Sequence, residues 1–151
     1  MIDTIKDIID DVLKRMDEDM GIPYSEDAAK LIFETGKAES GYRYLEQMGG
    51  GPAVSFFQME EATIKSMFEN YITYRKPAVA CLYRLGLVER HMSFCVMSNI
   101  ALAVAFCRIY YWRKPGSIPS DIEGRAAYWK KHYNTEGGKG SVKHYLEANA
   151  C

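Results

Sequence analysis

From Met92 to Tyr111 the chain is apolar except for Ser93, Ser98, Asn99 and Arg108. A helix that is apolar on nearly all sides has no face to offer water, so the rest of the chain must surround it. A membrane span needs about 20 predominantly apolar residues, and Asn99 with Arg108 inside the run points instead to a packed core helix. The expectation is one long helix over Ser93–Arg113, more buried than any other. A chain of 151 residues is long enough to build one domain around it. The formal net charge of -1 lacks the overall basic footprint of a nucleic-acid binder, so neither nucleic acid nor a membrane is the expected partner.

The N-terminal segment supplies the first layer. Ile2, Ile5, Ile8, Ile9, Val12, Leu13 and Met16 recur at helical spacing with Asp3, Lys6, Asp10, Lys14 and Asp17 between them. This predicts an amphipathic helix over residues 1–20, ended by Gly21 and Pro23 and packed on the domain. It lacks the basic stretch and apolar run of a signal peptide. Cys81, Cys95 and Cys107 lie in apolar segments, Cys151 ends the sequence, and no Cys-x-x-Cys pair occurs. Reduced, buried thiols in a protein made in the cytoplasm are expected.

Ser25 is a good N-cap for a second helix, with Glu26 and Asp27 in its first turn. Its apolar stripe runs Ala28, Ile32, Thr35, and the next position on that stripe is Glu39. Lys30, Glu34 and Lys37 fall on the opposite face and are expected in water. Helical phase therefore separates the two carboxyls. A carboxyl at the apolar end of a helix is where desolvation raises the pKa, as a general acid requires. The plainer alternative is a partly buried Glu held by backbone N–H groups.

Gly49-Gly50-Gly51-Pro52 reads as a loop. Val54–Met59 follows as a short strand or extended run, broken by the amide of Gln58, which offers both donor and acceptor. Glu60 and Glu61 open a helix expected to reach about Arg75, and a shorter one spans Ala78–Leu87. Tyr110, Tyr111 and Trp112 crowd the exit of the central run. Ser120 is the expected cap of a helix through about His132, Gly137–Gly140 is a loop, and Ser141–Asn149 a last helix. His91, His132 and His144 show no metal-ligand spacing, so neither metal nor cofactor is expected.

Glu39-Ser40, the segment Gly51-Pro52-Ala53-Val54-Ser55-Phe56-Phe57-Gln58-Met59 and Thr63 follow one another in a recognisable order. This stretch resembles the active-site segment of the lysozyme-like superfamily, especially goose-type lysozymes, soluble lytic transglycosylases and phage-encoded relatives. The resemblance implies a mainly α, single lysozyme-like domain over 1–151 with a small extended or β segment at the cleft. It implies cleavage of peptidoglycan glycan strands, with Glu39 as general acid. Ser40, Gln58, Ser55 and Asn99 would contact or support the sugar, with a late tyrosine, Tyr128 or Tyr133. Glu60 stands where goose-type lysozymes carry an Asp after the Gln, which makes it the candidate second catalytic carboxylate, the plainer alternative being an acidic residue that only opens the helix; Glu46 is the other choice. Ser55-Phe56-Phe57 departs from the commoner Gly-Leu-Met and would narrow the cleft floor. Hydrolysis and anhydro-forming transglycosylation both occur among the similar families. The rival is a virion or wall-binding structural protein that keeps the fold without turnover. A cell-wall role would need delivery by lysis machinery or a virion. Oligomeric state is not legible.

Overall fold

The computed structural model describes residues 1–135 and 137–150, and is mainly helical with one small two-stranded antiparallel sheet. Its axis is α6 (Ile100–Trp112), in which every residue from Leu102 to Ile109 is buried. The expected single helix over Ser93–Arg113 is instead two. α5 (Met92–Ser98) and α6 meet at Asn99 with a bend of 104°. Asn99 is extended, at φ -122° and ψ 107°. Its Oδ1 accepts from the Leu102 N–H at 3.1 Å, and its Nδ2 donates to the Leu85 carbonyl at 2.8 Å. An Asn side chain that caps a new helix competes with the hydrogen bonds that would continue the old one. Among the described residues no single helix is long and apolar enough to cross a membrane.

α1 (Ile2–Met20) buries Ile5, Ile9, Val12, Leu13 and Met16, and packs on α6, α2 (Glu26–Glu39) and α4 (Lys76–Arg84). Gly21 closes it in the left-handed conformation, φ 71°. Ser25 caps α2, its Oγ accepting from the Ala28 N–H at 3.0 Å. Pro77 lies in the first turn of α4, where its missing N–H would have had no helical partner. α4 thus starts before Ala78 and ends before Leu87. α3 (Glu61–Asn70) stops short of Arg75 because a 3₁₀ turn at Ile72–Tyr74 follows. α7 (Ile122–Trp129) is capped by Asp121 rather than Ser120, and passes into a π-helical turn at Lys130–Asn134. α8 (Val142–Ala148) completes the described chain.

The Val54–Met59 run is not one strand but a hairpin. β1 (Ala53–Val54) pairs antiparallel with β2 (Met59–Glu60), Ala53 opposite Glu60 and Val54 opposite Met59. The turn is carried by Ser55 at φ 71° and Gln58 at φ 49°, a region side chains other than Gly, Asn and Asp seldom enter.

Glu34 overturns its expected place in water, being only 7% exposed. Arg125 donates through Nε to its Oε1 at 2.7 Å and through Nη2 to its Oε2 at 2.9 Å, and the Tyr145 hydroxyl donates to Oε1 at 2.9 Å. α7 and α8 cover the face of α2 that its own periodicity marks as polar. A second small core of Ala38, Ala126, Trp129 and Tyr145 lies there. Cys81, Cys95 and Cys107 are free and buried; Cys151 lies outside the described residues.

Candidate active site

Glu39 is the last residue of α2, and several bonds hold that helix end in place. Ser40 donates through Oγ to the Phe56 carbonyl at 2.7 Å and accepts from the Tyr42 N–H at 3.1 Å. This latch joins the end of α2 to the hairpin turn, so Ser40 sets where Glu39 stands relative to Gln58. The Tyr44 hydroxyl donates to the Glu39 carbonyl at 2.9 Å, and His144 Nε2 lies 2.7 Å from the Ala38 carbonyl oxygen. Tyr42, at φ 57°, folds its ring back against Gly36 and donates its hydroxyl to the Phe33 carbonyl. A side chain at residue 36 would collide with that ring.

The Glu39 carboxyl faces a cleft of about 710 Å³, whose walls include Gln58, Glu60, Thr63, Tyr133 and Trp129. Burial pushes its pKa from the ordinary 4.5 up to about 7; the nearby indole of Trp129 pulls weakly the other way. Trp129 is fully buried, yet among the described residues its Nε1–H has no hydrogen-bond partner. The indole therefore sits close enough to bias the carboxyl without reaching a formed bond. Such a donor gains a strong acceptor when Glu39 loses its proton.

The hairpin turn forms the floor. Ser55 is buried beneath it, donating its N–H to the Leu45 carbonyl at 2.7 Å and accepting at Oγ from the Phe57 N–H at 3.1 Å. It shapes the floor and is not among the residues lining the cleft. Gln58 spends one of its two side-chain N–H groups on the Ser55 carbonyl at 2.8 Å. Its other N–H and its Oε1 remain for the cleft, fewer groups than the sequence allows. Ser40 is likewise a buried support outside the lining.

The two tyrosines separate clearly. Tyr133 lines the cleft, donates its hydroxyl to the Phe57 carbonyl at 2.6 Å and stacks on Tyr111. Tyr128 lies buried against Tyr111 and His132, away from the lining. Asn99 sits at the α5–α6 break, where both ends of its amide are used, and does not reach the cleft. Glu60 is exposed on the rim, at the N-terminus of α3. Glu46 is exposed too, pairs by one backbone bridge with Val54, and is not in the lining.

Sequence reasoning missed the far wall. Lys130 Nζ donates to Asn134 Oδ1 at 2.8 Å and to the carbonyls of Thr135 and Gly140 at 2.7 Å each. One cation thus gathers the ends of the loop that borders the cleft beyond Tyr133. Gly140 packs so closely on the Trp129 ring that a side chain there would clash. The Gly-Gly-Lys-Gly composition marked a loop, but nothing local in the sequence names Lys130 as its organiser. The π-helical turn after α7 brings Tyr133 and Asn134 to the cleft wall beside Trp129, which ends α7.

Comparison of the chain with protein-family models, with curated proteins and with solved structures finds no match. What the site can do follows from its own chemistry. A carboxyl that titrates near neutrality at the end of a latched helix can give a proton to a bound molecule and take one back.

Proposed function

We propose that this chain is a lysozyme-like glycosidase that cleaves the glycan strand of peptidoglycan, with Glu39 as general acid. The observation that carries the reading is the Glu39 carboxyl, raised to about 7 by burial in a residue that lines the same cleft as Gln58 and Tyr133. Carboxyls are ordinarily ionised at neutral pH. One that keeps its proton there beside an open cleft is suited to protonating the leaving oxygen of a glycosidic bond. The remaining N–H and Oε1 of Gln58 match the C=O and N–H of an acetamido substituent. The resemblance of Glu39-Ser40 and the Gln58 segment to the lysozyme-like pattern supplies the substrate class.

In the first step the Glu39 O–H proton passes to the glycosidic oxygen. The C1–O bond breaks, its electron pair stays on the leaving sugar, and positive charge develops at C1. The Trp129 N–H then faces a carboxylate and can bond to it. Two continuations remain. Glu60 could orient a water, whose oxygen adds to C1 as its proton passes to the Glu60 carboxylate, giving a hydrolysed end. Alternatively the Glu39 carboxylate takes the proton of the sugar's own 6-hydroxyl as that oxygen closes on C1, giving an anhydro end. Glu60 is exposed and, at the N-cap of α3, makes no side-chain capping bond, so no cap bond holds it to aim a water. That favours the anhydro route.

The test is incubation of the purified chain with cell walls, followed by mass analysis of the released fragments. Fragments lighter by one water than hydrolysis products are expected, with Glu39→Gln lowering the rate by about 10²–10⁴-fold. Release without that mass difference would assign the hydrolytic route. Absence of release, with the protein still pelleting with walls, would favour the non-catalytic binding reading.

A further inference from the structure

Beside the cleft, and sharing Thr63 and Tyr110 with it, runs a second groove of about 370 Å³ that also contains Ser66, Arg113 and Lys114. Tyr110 is the hinge between the two. Its ring meets Tyr133 edge-on at 5.0 Å, and its hydroxyl is tied to the His132 carbonyl at 2.8 Å. The groove therefore continues the cleft along α3 and the exit of α6.

Its charge is one-sided. Lys114 Nζ stands 4.6 Å from the centre of the Tyr110 ring. The guanidiniums of Arg113 and Arg75 lie 5.0 Å and 3.5 Å from the centre of the same ring, that of Tyr71. Among the described residues none of these three cations is paired with a carboxylate. Of these, Arg113 and Lys114 line the groove, and their like charges repel one another unless an anion joins them. The aromatic faces hold them in place meanwhile. The basic character is regional: after Glu61 the chain has 13 Lys and Arg against 6 Asp and Glu.

We infer that this groove is an anion-binding extension of the cleft, which takes a carboxylate or phosphodiester group carried by the strand being cut. The inference rests on the glycan-cleaving reading for its choice of strand, while its geometry stands apart from Glu39. Arg113 supplies a planar fork for the anion and Lys114 a movable point charge. Neutral sugar would lie in the cleft along Gln58 and Tyr133, and the charged appendage would lie over Tyr110.

The experiment uses Arg113→Gln/Lys114→Gln in the full chain; exposed Arg113 and half-buried Lys114 carry no structural hydrogen bond, so folding should survive, and circular dichroism checks it. Turnover is compared on three substrates: intact walls, walls stripped of phosphodiester polymers, and strands stripped of peptides. Binding is compared by co-sedimentation in a Glu39→Gln background, where turnover is slowed by about 10²–10⁴-fold. Partly exposed charge pairs are individually weak, so the double variant should bind intact walls about three- to tenfold less tightly and lose salt dependence. Loss of the effect on peptide-free strands would name a carboxylate as the anion; its loss on polymer-stripped walls would name the phosphodiester. Equal binding and turnover by the double variant and its parent on every substrate would overturn the groove and leave the glycosidase reading standing. Groove-dependent binding without turnover by the wild-type chain would do the reverse. Neither binding nor turnover would remove both.

Discussion

Replacing Glu39 with Gln should stabilise the protein, and only above acidic pH. The Glu39 carboxyl has a folded-state pKa of about 7 against an ordinary 4.5. Well below 4.5 both folded and unfolded chains hold the proton, and burial of the neutral acid carries little penalty. Between 4.5 and 7 the folded chain retains a proton that the unfolded chain has released, so stability falls as pH rises. Above 7 the full penalty is present, because the folded state must bury a carboxylate. At about 1.4 kcal/mol per pKa unit the shift has a ceiling of about 3.5 kcal/mol. Partial exposure of Glu39 reduces this to about 1.5–3 kcal/mol. For a chain of this length that is a rise in Tm of about 4–10 °C for Glu39→Gln. The amide keeps the shape and has no charge to bury. Thermal unfolding of both proteins at about pH 4 and about pH 8.5 measures it. The curves should coincide at the acidic pH and separate at the alkaline one. A difference independent of pH, or a less stable variant at alkaline pH, would refute the claim that burial holds the Glu39 proton. A neutral control is Glu69→Gln, exposed on α3, which should move neither Tm nor wall release.

Trp129→Phe keeps a buried aromatic but removes the N–H that favours ionised Glu39. The alkaline limb of the pH–rate profile should move to higher pH, while Trp112→Phe leaves it in place. Arg125→Met leaves the Glu34 carboxylate buried without its guanidinium and should cost about 3–5 kcal/mol in denaturant melts. Adding Glu34→Met should recover much of that loss, because an apolar pair needs no desolvation. Asn99→Ala removes the cap of α6 and the tie to Leu85 together. It should destabilise by about 1–3 kcal/mol, as read by urea titration. Cys81, Cys95 and Cys107 are buried, so mass-resolved thiol labelling should modify them only after denaturation.

Features that depend on neighbours three or four residues away were legible in the sequence. The stripe of α1, the Ser25 cap of α2 and the phase that turns Glu39 inward all follow from helical periodicity, which each segment carries alone. The loop character of 49–52 and 137–140 follows from glycine in the same way. Asn99 was a local signal too, but the apolar run on both sides hid it, because hydrophobicity reports burial and says little about direction. What lay beyond reach needed distant partners. Glu34 is on the polar face of α2 by every local measure, yet Arg125 and Tyr145 bury it from 91 and 111 residues away. The turn at Ser55 and Gln58 holds left-handed backbone conformations that their residue types disfavour, sustained by bonds with Leu45, Ser40 and Tyr133 from other parts of the chain. Trp129 reached the cleft because the end of α7 packs on Ala38 of α2, and Tyr133 and Asn134 reached it through the π-helical turn that follows. Periodicity tells which side of a helix is apolar. How much of its perimeter is covered, and whether a buried carboxyl finds a cation or keeps its proton, is decided only when the remaining elements pack against it.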